Sequence, residues 1–231
     1  MQEKKNKKTP QKPYLQDNLV HQADQKTGFK AFLAKQNIII SFKRYMIDAL
    51  GAMALGLFAS LLIGTIINTL AMIFPDGSAW HDGLQKIGSF GSQAAGGAMA
   101  IAIGYALEAP PLVLFSLAGV GMAANTLGGA GGPLAVFFIA VPACELGKLV
   151  SKTTAVDTPF VTLVSGGGLA LGIAPWLGNF ANLIGSFVMS LTDQQPLLMG
   201  ILVSVIMGLL LTLPISSAAI AASFGLVGLA G

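Results

Sequence analysis

Charge is what this sequence has least of. Only 10% of its residues are Asp, Glu, Lys or Arg, against 54% hydrophobic, and its mean hydropathy is +0.73. A soluble domain of this length carries far more charge on its surface. Cysteine is nearly missing too. Cys144 is the single one and sits inside an apolar run, which excludes an intramolecular disulfide and a cysteine metal motif. The two histidines, His21 and His81, lie outside the apolar runs, so a histidine metal site or triad within a membrane is excluded. The alternating pattern of an outer-membrane barrel is absent. There is no HExxH, no P-loop, no GxSxG and no carboxylate pair beside a histidine. The chain therefore shows no catalytic constellation, and it calls for no cofactor and no metal.

Long apolar runs are what it does have, several of them long enough to cross a hydrocarbon core of about 30 Å. The expected fold is all-α: a polytopic transmembrane helical bundle with broken or kinked helices and roughly six to seven membrane segments. The charge is lopsided. Residues 1–46 hold ten of the thirteen Lys/Arg and three of the ten Asp/Glu. A basic stretch before the first span is the positive-inside signal and predicts a cytoplasmic N-terminus. It is too long, and lacks the cleavage pattern, for a signal peptide. Basic leaders next to membranes suit anionic lipid, and no nucleic-acid partner is expected.

Residues 1–23 are polar, include Pro10 and Pro13, and read as disordered. Within 29–44, Phe29, Phe32, Leu33, Ile38, Ile39, Ile40 and Phe42 are interleaved with Lys30, Lys35, Lys43 and Arg44, as in an amphipathic interfacial helix. The division is thus a leader over 1–46 and a transmembrane domain over 47–231.

The first span is expected over 47–74, with Asp48 at its start and Asn68 in its last turns. Trp80 is a candidate interface anchor. A second, glycine-rich span covers 87–107, with Gln93 its strongly polar residue, and Glu108-Ala109-Pro110-Pro111 stops it. A third run, 112–127, carries Asn125 and ends in the glycine-rich loop 128–132. The fourth span, 133–150, contains Pro142, which is expected to kink it. There Glu145 and Lys148 are three apart on one face and read as a structural ion pair. The run 159–191 is too long for one straight span and is expected to break at Gly166–Gly168 or at Pro175. If every run crosses, the connections holding Glu108 and Lys148 share one face of the membrane. Those at Asp76, 128–132 and Asp193 share the other.

Residues 191–231 open with a polar turn at 192–196, run apolar from 197 to 213 and meet Pro214, then Ser216 and Ser217. Two readings stand for this proline. It breaks a helix within the membrane, where irregular backbone survives only if buried in protein or lining a wet cavity, as at transporter binding sites. Or it marks an ordinary turn between two helices. Gly96, Ala100, Gly104 and Pro110 recur as Gly200, Ser204, Gly208 and Pro214, offset by 104 residues at all four positions. Such small-residue stripes let helices pack closely; the echo itself reads as chance in a glycine-rich chain rather than as a repeat.

Polar groups are costly in lipid, so the few within apolar runs are the candidates for function. Those assigned to a substrate site are Gln93, Glu108, Asn125, Gln195, Ser216 and Ser217. Each can hydrogen-bond a polar solute. Glu108 reads more readily as a helix-end residue at the interface than as a ligand, and Gln195 more readily as a turn residue.

The stretch 192–231 resembles the membrane-embedded sugar subunit, the IIC component, of the bacterial phosphotransferase system. It is most similar to the branch known as regulators of perfringolysin expression. The resemblance lies in Gln195-Pro196-Leu197-Leu198-Met199, in Pro214-Ile215-Ser216 and in Gly225-Leu226-Val227-Gly228-Leu229-Ala230. Leu50-Gly51-Ala52-Met53-Ala54-Leu55-Gly56 fits more loosely, as does the glycine-rich third helix.

This resemblance implies a multi-pass protein of the bacterial inner membrane that binds and translocates a sugar or similar polyol as a homodimer. Cytoplasmic phosphocarrier subunits would donate the phosphate, making this at most the non-catalytic subunit of a sugar phosphotransferase. It also implies longer relatives with further membrane segments, so the chain is expected to be C-terminally truncated. The alternative is a membrane-embedded sensor that regulates gene expression without transport.

Overall fold

In the computed structural model, residues 36–38, 41–151 and 156–194 are described, with isolated helical residues at 197, 200, 201, 204 and 205. The expected disorder of 1–23, the interfacial helix up to residue 35, the turn at 195–196 and the break at Pro214 lie outside them. Two compact units divide the chain, residues 1–39 and 40–231. In the first, Gln36 and Asn37 form a turn, with Asn37 at φ 57°.

The second unit is helical, and no strand occurs among the described residues. Helix α1, Lys43–Ala71, starts four residues before the expected span, so Lys43 and Arg44 belong to it rather than to the leader. Two of its stretches, Lys43–Ala49 and Phe58–Leu62, are wound as π-helix. Helix α2, Ala79–Gln93, and helix α3, Ala95–Ala106, follow. Then come α4, Pro111–Gly128, α5, Gly132–Val150, and α6, Asp157–Gln194. Among the described residues, three helical stretches are long and apolar enough to cross a membrane: Lys43–Ala71, Pro111–Val150 and Thr158–Leu183. The middle one is folded in two. The short 3-10 turn Gly129–Gly131 begins at φ 52°, a left-handed conformation that glycine alone adopts freely, and α5 packs back along α4.

Two expectations are corrected. The second span is not one helix over 87–107. It begins at Ala79, where the Ser78 hydroxyl accepts the His81 amide at 3.2 Å, and it is interrupted at Ala94. Capping chemistry set that start, ahead of the apolar run. Likewise the run 159–191 does not break. It is one helix of 38 residues that passes through Gly166–Gly168 and Pro175. Gly166 seats against Val120 and Ala143, so it is spent on close packing. Pro175 forfeits one hydrogen bond, but Ala174, Leu177 and Gly178 around it are buried and hold the helix.

The core lies between α1, α3, α4, α5 and α6. Met53, Met99, Ile103, Leu117, Val120 and Ile139 are fully or almost fully buried there. The stripe Gly96–Ala100–Gly104 faces α4. Methyl groups there would overlap the Gly121 carbonyl and the Leu117 side chain, and Gly121 in turn abuts Ala100. The second half of the echo, at Gly208 and Pro214, lies outside the described residues. The C-terminal half of α1 forms a hairpin with α2 in which Gly64 meets Gly88 and Ser92. His81 Nδ1 lies 2.9 Å from the Ala71 carbonyl oxygen and Nε2 lies 3.5 Å from Asp76, which ties the loop 72–78 down.

Candidate functional site

Helices alternate in direction, so polar residues far apart in sequence gather at two levels. The first level is the end shared by the start of α1, the ends of α3 and α5 and the start of α6. Arg44 donates from Nη2 to the Leu107 carbonyl at 2.6 Å and lies 3.8 Å from the Glu108 carboxylate. A cation here also suits the negative end of α3. Next to it the Tyr45 hydroxyl lies 3.1 Å from Glu145 Oε1, and Lys148 Nζ lies 3.4 Å from both Glu145 oxygens. Lys148 is fully buried, and the expected pair with Glu145 is present. Two cations meet two carboxylates, so the cluster is close to neutral. Thr158 closes the same end, its hydroxyl 3.3 Å from the Val150 carbonyl.

Glu108 has an unusual backbone. Its φ is 56°, and two hydrogen bonds surround it: its own amide to the Tyr105 carbonyl at 3.0 Å, and the Ala109 amide to the Gly104 carbonyl at 2.8 Å. That pair is a Schellman closure of α3, with glutamate where glycine is usual. Its side chain is 70% exposed. Glu108 is thus a helix-end residue by backbone, with a carboxylate that stays accessible.

The second level is the interruption at Ala94. Gln93 ends α2 and is exposed. About one turn on, Gly96 lies against the Asn125 side chain of α4, and the Asn125 amide oxygen abuts Gly132 at the start of α5. Gln93 and Asn125 therefore sit at neighbouring levels around one helix break. Glu108 does not join them, since the length of α3 separates it, about 18 Å at 1.5 Å per residue. Gln195, Ser216 and Ser217 lie outside the described residues. Asn179 and Asn182 are exposed on α6. Asn68 on α1 keeps a buried amide oxygen with no partner among the described residues, facing Gly88.

The sequence reading missed Arg44 and Tyr45 as parts of a polar cluster. Their spacing from Glu108 and Glu145 carries no local signal, and only antiparallel packing brings them together. Among the described residues no group of His, Cys, Asp or Glu could hold a metal, and Cys144 is buried. What the two levels offer is hydrogen bonding by uncharged amides at the helix break and a compensated charge cluster at one end. That chemistry suits recognition of a polar solute.

The family described as "Phosphotransferase system, EIIC" matches residues 47–231. No curated protein and no solved structure compared with the chain matches it. The match takes in every helix from α2 to α6 and nearly all of α1, and the apolar helices agree with it. This multi-pass chain belongs to the phosphotransferase system EIIC family, the membrane subunits of bacterial sugar uptake.

Proposed function

We propose that this chain binds a sugar or similar polyol within its helical bundle and carries it across the bacterial inner membrane. Cytoplasmic phosphocarrier subunits would supply the phosphate. The observation that carries this reading is the family match over residues 47–231. Gln93 and Asn125, beside the interruption at Ala94, are the proposed solute ligands within the described helices. Amide side chains both donate and accept, as hydroxyl groups require. Ser216, Ser217 and Gln195 complete the proposed set. Glu108 is proposed as a ligand at the Arg44 end, reached by solute at a different stage from Gln93.

The proposed topology has α1, α2 with α3, α4, α5 and α6 each crossing once. The N-terminus and the Glu108 and Lys148 ends face the cytoplasm, following the positive-inside rule. Homodimerisation and membership of the perfringolysin-regulator-like branch are part of the same proposal. They rest on the motif resemblance over 192–231.

Uptake and binding of a sugar panel by full-length protein reconstituted in vesicles tests the reading. Saturable binding of at least one sugar, weakened by Asn125→Ala with an unchanged melting temperature in detergent, is the expected result. No binding at millimolar sugar would overturn it and leave the sensor alternative, which rests on the branch resemblance alone.

A further inference from the structure

Helix α2 has three faces. At about 100° per residue, His81, Leu84, Gly88, Gly91 and Ser92 fall on one side, and Gly88 and Gly91 meet α1 there. Trp80, Ile87 and Phe90 fall on a second side; all three are exposed and apolar. Asp82, Gln85, Lys86, Ser89 and Gln93 fall on a third, within an arc of roughly 100°. Four of these five are exposed. Asp82, Gln85, Lys86 and Gln93 form no side-chain hydrogen bond or ion pair among the described residues, while Ser89 bonds the Lys86 carbonyl of its own helix at 2.8 Å. Along this face runs an open groove of about 240 Å³, lined by Asp82, Gln85, Lys86 and Ser89.

The depth of the stripe follows from its partner helix. Gly88 lies opposite Gly64 and Asn68, and Gly91 opposite Ser60. Since α1 runs Lys43–Ala71, Ser60 is close to its midpoint. The polar stripe therefore descends from the loop 72–78 to about mid-depth, and it ends where the helix is interrupted. Asp82 and Lys86 lie towards the loop end of the stripe and Gln93 near mid-depth, where an amide side chain facing hydrocarbon carries a penalty, whereas Ile87 and Phe90 beside it suit lipid. One helix thus shows lipid-compatible and water-requiring faces side by side.

We propose that the stripe Asp82–Gln85–Lys86–Ser89–Gln93 is the wall of a water-filled passage. It admits a neutral polyhydroxy solute from the membrane face bearing the loop 72–78 and delivers it to Gln93 and Asn125 at the helix break. The inference rests on the transport reading above and adds an entrance to it. Alternating donors and acceptors along the stripe replace the hydration of hydroxyl groups stepwise. The opposite charges of Asp82 and Lys86 cancel, so the mouth favours no ion of either sign.

Single cysteines test this in full-length protein with Cys144→Ala, in sealed vesicles treated with a charged, membrane-impermeant methanethiosulfonate. The reagent needs thiolate, which forms in water and not in lipid. Gln85→Cys, Ser89→Cys and Gln93→Cys should react at least about tenfold faster than Ile87→Cys and Phe90→Cys, and from one side only. A sugar found to be taken up by the wild type should slow labelling at Ser89→Cys severalfold, since that variant keeps the Gln93 amide.

Equal reaction on all faces would place α2 outside the lipid and overturn the proposal. Equal protection on all faces would mean protein covers the stripe, and would overturn it too. Should Gln93→Cys fail to express, Gln85→Cys and Ser89→Cys carry the same comparison. Labelling without sugar protection at any stripe position would separate the water path from the solute and refute the solute assignment. Because the labelling pattern is read without sugar, its failure is distinct from a failure of uptake by the wild type.

Discussion

Glu108 is the residue at which backbone and side chain disagree most. A left-handed conformation costs a non-glycine residue about 1–2 kcal/mol. The exposed Glu108 carboxylate lies 3.8 Å from the largely buried Arg44, which also bonds the Leu107 carbonyl, so the ion pair returns less than about 1 kcal/mol. Glu108→Gly should therefore raise the unfolding free energy in detergent by about 1 kcal/mol, while Glu108→Ala should leave it level or lower it. If Glu108→Gly also weakens sugar uptake, the carboxylate serves the solute and the strain is retained for function. Unchanged uptake would reduce it to a helix stop. Lys148 gives the opposite case. It is fully buried against Glu145, and removing one partner of such a pair strands a charge. Lys148→Met should cost about 3 kcal/mol in denaturant unfolding, and adding Glu145→Leu should restore part of that. The Glu145–Lys148 pair was legible in the sequence because three residues on a helix are neighbours by construction. Arg44 and Tyr45 were not, because their partners lie 63 and 100 residues away.

At the scale of the element, glycines separate into two kinds that composition cannot tell apart. Gly121 abuts the Gly96 carbonyl and Ala100, whereas among the described residues nothing occupies the space where a side chain on Gly167 or Gly172 would go. Gly121→Ala should destabilise the bundle by about 1–3 kcal/mol through overpacking. Gly167→Ala and Gly172→Ala should be neutral or gain up to about 1 kcal/mol from helix propensity. Thermal melts of the three variants in one detergent check the contrast, and equal losses would refute it. The same division explains why the run 159–191 looked breakable and is not. Glycine in a membrane helix signals close packing at least as often as a break. Helix α2 misleads in the other direction. Asp82, Gln85 and Lys86 resemble a loop to a hydropathy reading, yet Asp82, Gln85, Ser89 and Gln93 recur every three to four residues, and that period was the missed signal of an amphipathic helix.

For the whole molecule, the direction of each helix decides which ends meet. Cysteines at Glu108 and Ser151 should label from one side of sealed vesicles, and cysteines at Asp76 and Ala130 from the other. The positive-inside rule assigns the first pair to the cytoplasm. Labelling of Glu108→Cys and Asp76→Cys from the same side would overturn the alternation. Helix α6 adds a length argument. Its 38 residues extend about 57 Å, nearly twice a hydrocarbon core of about 30 Å, so it tilts or projects into water. By itself the sequence determined the solvent: too little charge for water, and runs long enough for lipid. It also determined where α4 and α5 begin and end, within one residue, because Pro111, Pro133 and the glycines at 128–132 are local stops. Only the tertiary structure decided that Gly166 and Pro175 sit inside one helix, and that the second span is interrupted at Ala94. It alone brought Arg44 to Leu107 and Tyr45 to Glu145. The reason is physical. Hydropathy and stop residues act along the chain, whereas close packing and charge pairing act between helices, and their energies are settled by which face meets which neighbour.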